Sequence, residues 1–124
     1  MVSQSTKSYR DLLIWQRGMD LAAACYRIAG ALPDTERFGL SGQLRRAAVS
    51  IPANIAEGYG REIDGPFAQH LRIAQGSLKE LETHLLLIER LDLGAGMALS
   101  ETLTQCDELG RMIRSMIRTL KDRS

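Results

Sequence analysis

Apolar side chains recur at alternating spacings of four and three residues in the second half of this chain. The series is Phe67, Leu71, Ala74, Leu78, Leu81, Leu85 and Ile88. In an α-helix this spacing places all seven side chains on one stripe, which other helices must cover. The repeat therefore predicts a helix over residues 66–91 within a helical bundle, since a strand would alternate every two residues.

Two further segments show the same pattern. We expect a helix over residues 9–31, with an apolar seam at Leu12, Trp15, Met19, Ala22, Tyr26 and Ala29. Another is expected from Met97 or Ser100 to Lys121, with an apolar set at Leu99, Leu103, Cys106, Leu109, Ile113, Met116 and Leu120. Leu86, Leu87 and Leu91 widen the stripe of the third helix, as expected for a helix that contacts several neighbours, including other subunits.

The remaining helix contains a proline. An apolar face at Leu40, Leu44, Ala47, Ile51 and Ile55 predicts a helix over residues 36–60. Pro52 lies inside it, removes one backbone hydrogen bond and predicts a kink, with a break into two shorter helices as the alternative. Asp34 or Thr35 is expected to cap this helix, and Asp64 is expected to cap the third.

Four helices of similar length joined by short turns pack as antiparallel neighbours. We therefore expect an all-α, antiparallel up-down-up-down four-helix bundle over residues 9–124, with helix two kinked near Pro52. The polar residues 1–8 are expected to form a flexible N-terminal arm. With 124 residues, the chain is long enough to bury a core without disulfides or metals.

The composition limits the function classes. Sixteen basic residues nearly balance fifteen acidic ones, so a net charge of +1 does not by itself indicate a nucleic-acid binder. Cys25 and Cys106 fall within apolar helical pattern and are expected to be buried free thiols. No run of about 18 uncharged apolar residues is present, and no signal peptide is visible, so we expect a cytoplasmic protein with no membrane association.

Catalytic and metal-binding motifs are absent from the sequence. The two histidines, His70 and His84, lack the Glu-x-x-His spacing of di-iron bundles and lie about 20 Å apart along one helix. No phosphate-binding loop, dinucleotide fingerprint or nucleophile elbow is present. We therefore expect no enzyme activity, no catalytic residues, no metal and no cofactor.

The second helix has a narrow polar stripe opposite its apolar face. It consists of Gln43, Arg46, Ser50, Asn54 and Glu57. Solvated faces favour Lys and Glu at four-residue spacing, whereas these residue types suit a directional hydrogen-bond network. Two interpretations remain open: an interface or polar network, or a plain solvated surface.

The last helix has a basic stripe. Arg111, Arg114, Arg118 and Lys121 fall within about 80° of arc, and residues 111–124 hold five cations and one anion. Cations near a helix C-terminus also interact favourably with its dipole, which explains them without any ligand. As a candidate nucleic-acid surface, the stripe would be joined by Arg45 and Arg46. No aromatic residues interleave it, so any binding should be nonspecific.

Several segments together resemble a known family. They are Tyr9–Gln16 (YRDLLIWQ), Leu32–Pro33 with Glu36 and Phe38–Leu40, Gln43–Ala48 (QLRRAA), Ser50–Gly58 (SIPANIAEG) and Gly76–Glu80 (GSLKE). In this order they resemble the 23S rRNA intervening-sequence protein family, four-helix bundle proteins once labelled as ribosomal proteins. The last helix matches only by its apolar pattern.

The resemblance implies a four-helix bundle that assembles into a ring-like homopentamer. Some members of the family are encoded inside insertions in bacterial 23S rRNA genes, but many are not. The family is similar in fold to the accessory proteins of diversity-generating retroelements, pentameric barrels that bind nucleic acid and a reverse transcriptase. The family has no established catalytic residues, so none is transferred to this chain.

Two functional hypotheses follow. In the first, the chain is a homo-oligomeric, pentameric scaffold or adaptor whose basic surface binds RNA or DNA nonspecifically. In the second, it is a protein–protein interaction module with no nucleic-acid role, docking a protein partner such as a reverse transcriptase.

Overall fold

Four long helices make up most of the structure, a computed structural model that describes residues 8–123. Helix α1 spans Leu13–Ala31, α2 spans Leu40–Gly60, α3 spans Asp64–Arg90 and α4 spans Leu99–Asp122. Two short 3₁₀ helices, Tyr9–Asp11 and Asp34–Glu36, precede α1 and α2. The described range contains no strand, so the predicted all-α four-helix bundle is confirmed.

Of the predicted N-terminal arm, residues 1–7 lie outside the described part of the chain. Ser8 caps the first 3₁₀ helix reciprocally. Its hydroxyl accepts a hydrogen bond from the Arg10 N–H at 3.0 Å, and the Asp11 carboxylate accepts one from the Ser8 N–H at 3.2 Å. This capping box fixes the chain direction immediately before α1.

Each helix packs against two others, in the cyclic order α1, α2, α3, α4. The diagonal pairs, α1 with α3 and α2 with α4, have no close backbone contact within residues 8–123. Gly18 early in α1 lies against Pro52 late in α2, and the Ser41 hydroxyl early in α2 donates to the Ala29 carbonyl late in α1. Such contacts between the early part of one helix and the late part of the next are those of antiparallel neighbours.

The core follows the predicted stripes of α2, α3 and α4. All seven repeat residues of α3 are buried, as are the five apolar residues predicted for α2. In α4, five of the seven predicted residues are buried, and Leu103 and Met116 are partly buried against the core. Removal of these side chains from water is the main favourable term holding the bundle together.

The predicted seam of α1 is wrong. The core stripe of α1 consists of Ile14, Gly18, Leu21, Cys25 and Ile28, one position away from the predicted seam. Met19 and Tyr26 are instead 45% and 47% exposed. Leu12 and Ala29 are buried as expected, while Trp15 packs against the edge of the core. Helix α1 therefore has two apolar stripes, and its own bundle buries the second one only in part.

Helix α2 runs without interruption through Pro52, so the alternative of two shorter helices is wrong. The buried ring of Pro52 packs against Gly18, whose lack of a side chain leaves room for it. A kink at Pro52 stays a prediction. Helix α2 begins at Leu40, later than predicted, because residues 34–36 form a separate 3₁₀ helix.

The predicted helix caps are also wrong. Asp34 and Thr35 belong to the 3₁₀ helix, and Gly39 is the N-cap residue of α2. Ile63 precedes α3 without a side-chain cap, while the Asp64 carboxylate accepts a hydrogen bond from Arg123 Nε at 3.0 Å. Asp64 therefore ties the start of α3 to the end of α4 rather than capping its own helix.

None of the helices described has the length and apolar composition needed to cross a membrane. Cys25 and Cys106 are both free and fully buried, as predicted. Burial raises the pKa of each thiol to about 12, because a thiolate would lose its solvation in the core.

Candidate functional site

Three residues of the polar stripe on α2 form hydrogen bonds or ion pairs along the groove between α2 and α3. The Ser50 hydroxyl lies 2.8 Å from the Ser77 hydroxyl of α3. The Asn54 amide donates to the Ser50 carbonyl at 2.8 Å and to the Ser50 hydroxyl at 3.0 Å. These groups are partly buried, so each hydrogen bond replaces water that the groove largely excludes.

The same network continues to His70 of α3. Because the Asn54 amide nitrogen donates to Ser50, its oxygen is free to accept a hydrogen bond from His70 Nδ1 at 3.0 Å. His70 Nε2 then lies 3.7 Å from a carboxylate oxygen of Glu57, which also accepts a hydrogen bond from Arg61 at 3.0 Å. The stripe thus places a chain of polar contacts, Ser77 to Arg61, along one helix pair.

Gln43 and Arg46 lie apart from this network. Both are exposed on the first half of α2, and the side chain of neither forms a hydrogen bond or ion pair with another residue in the range 8–123. The structure therefore brings together Ser50, Asn54 and Glu57 with two residues of α3. These are Ser77, which the sequence analysis did not single out, and His70, which it considered only for metal binding. The signal for them was their spacing: they lie seven residues apart on α3, at the edge of its apolar stripe.

The geometry of this network does not match nucleophilic catalysis. A catalytic serine needs a base within hydrogen-bond reach of its hydroxyl. The Ser50 hydroxyl is instead engaged by Asn54 and Ser77, and His70 bonds to Asn54. The other histidine, His84, has its Nε2 buried without a hydrogen bond and 3.7 Å from Glu80. The part of the chain that the structure describes has no group of three metal-ligand side chains.

The basic stripe lies on the outer surface of α4. Arg111 is paired with Asp107, one turn before it, so its charge is partly neutralised. Arg114 and Arg118 are exposed and have no ion pair with any residue between 8 and 123. Lys121 is also exposed, one turn from the end of the helix. The unneutralised part of the stripe is therefore Arg114 and Arg118.

The register of α3 and α4 adds a cation that sequence analysis missed. The Gln75 amide donates to the Gly110 carbonyl at 3.0 Å, and Asp64 binds Arg123 at the helix ends. Arg72 lies one turn before Gln75 on α3, and Arg114 lies one turn after Gly110 on α4. Because the two helices are antiparallel, this register places exposed Arg72 opposite Arg114. Only the pairing of the two helices reveals this, because Arg72 stands alone in its own segment of the sequence.

Arg45 and Arg46 do not lie beside this stripe. They are on α2, which is diagonal to α4 in the bundle. The Arg45 guanidinium lies over the Tyr26 ring of α1, 5.6 Å from its centroid. Within one chain, the two predicted groups of cations therefore occupy opposite sides of the molecule.

The fold and these surfaces define the class: an all-helical four-helix bundle whose distinctive features are a polar inter-helix network and patches of charge on its surface. The family model described as "23S rRNA-intervening sequence protein" matches residues 10–115. The chain therefore belongs to this family, as its sequence motifs predicted. A comparison with curated proteins found no match.

Proposed function

We propose that this protein is a non-enzymatic, cytoplasmic, homo-oligomeric scaffold that binds RNA or DNA nonspecifically through the outer surface of α4. The observation that supports it is the pair Arg114 and Arg118, exposed and without an acidic partner among residues 8–123. Arg72 joins them across the α3–α4 groove, and Arg111 and Lys121 extend the row. The family name, with its reference to 23S rRNA, agrees with an RNA-related role.

The physical basis is electrostatic. Arginine and lysine side chains that contact phosphates release condensed counterions, and this gain does not depend on base sequence. The tyrosines and the tryptophan of the described chain lie on other helices, so base stacking adds nothing to this surface. We therefore expect affinity to fall steeply with salt and to differ little between sequences.

Assembly would repeat a weakly binding surface in every copy of the chain. Residues 111–124 hold five cations and one anion, and two of these cations, Arg111 and Arg123, are paired with Asp107 and Asp64. In a ring of five copies, the charge repeated along one rim would engage a single strand at several points, and linked contacts raise the overall affinity without new interactions. Whether Arg45 and Arg46 join that surface depends on how copies are arranged.

The matched variants Arg114→Glu and Arg27→Glu test the proposal. Each changes the net charge of the chain by the same amount, but exposed Arg27 of α1 lies beside Glu101 at the start of α4, about 20 Å along that helix from Arg114. Fluorescence anisotropy with a labelled 20-nucleotide RNA at low salt should show at least tenfold weaker binding for Arg114→Glu and nearly wild-type binding for Arg27→Glu. Equal losses of affinity in both variants would mean that only the net charge of the chain matters. Absence of RNA binding by the wild-type chain would reject the proposal.

The second candidate is a protein-interaction module that docks a protein partner such as a reverse transcriptase, with no nucleic-acid role. Leu86, Leu87 and Leu91 favour it, since these large apolar side chains are 40% to 51% exposed near the end of α3. A partner that co-purifies after nuclease treatment, from a chain that fails to bind the labelled RNA, would favour this candidate over the first.

A further inference from the structure

The outward surface shared by α1 and α2 has almost no charge. We call this surface the α1–α2 face. With successive residues 100° apart around each helix, this face contains Trp15, Met19, Ala22, Ala23, Tyr26 and Gly30 of α1 and Gly42, Val49, Ala53, Ala56 and Gly60 of α2. All eleven are exposed or partly exposed. A quarter of the whole chain is charged, so a surface of this size that includes Arg45 among otherwise uncharged residues is unusually apolar for a solvated face.

Part of this face is the second apolar repeat of α1, of which Trp15 and Ala22 pack partly against the core. Trp15, Met19, Ala22 and Tyr26 keep the alternating spacing of a packed helical seam. The bundle core uses a different stripe of α1, which leaves Met19 45% and Tyr26 47% exposed. A repeat of this kind on the outside of a completed bundle is what contact with a further helix would produce.

The residue types indicate a protein partner rather than a polyanion. Interfaces between proteins are depleted of charge at their centre and enriched in tryptophan, tyrosine, methionine and arginine. The face has Trp15, Met19 and Tyr26, with the Arg45 guanidinium over the Tyr26 ring at 5.6 Å. The small residues of α2 add no bulk, so another helix can approach its backbone closely.

A second exposed apolar row on the same chain provides a complement. Ile73 and Leu87 of α3, and Leu91 directly after it, are 44%, 40% and 51% exposed. They share about 40° of arc with the exposed carboxylate of Glu80. We call this row the α3 face. The α1–α2 face includes Arg45, with Arg46 at its edge, whereas the α3 face includes Glu80. The two faces are therefore both largely apolar and carry opposite charges.

We propose that the α1–α2 face of one copy binds the α3 face of a second copy. The contact joins two different surfaces, so every copy keeps one free face of each kind, and a rotation that closes the series gives a ring. This inference rests on the homo-oligomeric assembly proposed above and names the surfaces that form it.

Two charge-introducing variants test the pairing. Met19→Glu places a charge in the α1–α2 face and Leu87→Glu places one in the α3 face. Leu13→Glu is the matched control, since Leu13 is a 51% exposed apolar residue on α1 outside both faces. Light scattering should give the 13.7 kDa mass of one chain for both face variants and the wild-type assembly for the control. Circular dichroism should show unchanged helicity in all three.

Mixing the two variants is the sharper experiment. Met19→Glu keeps an intact α3 face and Leu87→Glu keeps an intact α1–α2 face, so an equimolar mixture should form dimers of twice the chain mass. A mixture that stays at one chain mass, or a Met19→Glu chain that assembles like wild type, overturns this pairing while assembly stands. A wild-type chain that is monomeric at micromolar concentration overturns the assembly itself. RNA binding by the Met19→Glu chain, measured with the labelled RNA, then tests the α4 surface separately from assembly.

Discussion

Gly58 lies at a close approach of α2 and α3, near the end of α2. A Cβ atom at this position would lie 2.6 Å from the Cβ of His70 and 3.1 Å from Cδ1 of Phe67. The His70 Cβ is fixed to the α3 backbone, so the clash cannot be relieved by rotating a flexible side chain. The sequence showed Gly58 only as a glycine near a helix end, and the partner helix gives it this second role.

We expect Gly58→Ala to destabilise the chain by about 1–3 kcal/mol, because the helices must separate to admit the methyl group. Gly76→Ala is the control, since Gly76 is exposed within α3 and nothing lies within 4 Å of the added atom. It should stabilise the chain by about 0.5–1 kcal/mol, as alanine replaces glycine inside a helix. Urea unfolding followed by circular dichroism measures both changes, and equal midpoints would contradict the close contact.

The two buried thiols give a prediction about pH. Their pKa is about 12 in the folded chain, against 9.0 for an unperturbed thiol. Between pH 9 and 12 the thiols therefore ionise mainly in the unfolded chain, so their contribution lowers the free energy of unfolding as the pH rises through this range. Below pH 9 both states keep the proton and this contribution is fully retained.

Alkylation by iodoacetamide at pH 9 reports the same burial, since the thiolate is the reactive form. We expect the native chain to react at least about 100-fold more slowly than the chain in denaturant. Mass spectrometry counts the labelled cysteines in each sample. Rapid native labelling would mean that Cys25 or Cys106 reaches solvent.

At the scale of the elements, the groove between α2 and α3 combines a buried apolar seam with a polar edge. Asn54 is the centre of that edge, because it bonds to Ser50 on its own helix and to His70 on the next. Directional bonds of this kind fix how far one helix slides along the other, which apolar contacts alone specify less strictly.

We expect Asn54→Ala to cost about 1–3 kcal/mol, because it leaves partly buried groups of Ser50 and His70 without their partner. Gln43→Ala is the matched control on the same stripe. The exposed side chain of Gln43 forms no hydrogen bond to residues 8–123, so its replacement should change stability by less than about 0.5 kcal/mol. If urea unfolding showed comparable losses of stability for the two variants, the hydrogen bonds of Asn54 would stabilise the chain no more than the exposed side chain of Gln43 does.

At the scale of the whole molecule, assembly should appear in thermal stability. A folded chain that associates is stabilised by mass action, so its unfolding midpoint rises with protein concentration. We expect a rise of several degrees between 1 and 100 µM for the wild-type chain and none for Met19→Glu. Differential scanning fluorimetry over this series makes the measurement, and a flat wild-type series would indicate a monomer.

Much of the fold was predictable because its evidence is local. The repeat from Phe67 to Ile88 gives the buried stripe of α3 within that segment alone, and several short segments, among them SIPANIAEG, together indicated the family. The seam of α1 was assigned wrongly because this helix has two apolar stripes. Periodicity finds both stripes, but it cannot tell which one faces the helix's own bundle.

The sequence by itself determined the number of helices, their approximate ends and the core of three of them, since spacing along a helix dictates which side chains share a face. Only the tertiary structure decided that His70 and Ser77 complete the polar stripe, that Arg72 stands opposite Arg114, and that Arg45 and Arg46 lie across the bundle from α4. Those relations join residues on different helices, and they depend on the register and order of packing, which no single segment encodes.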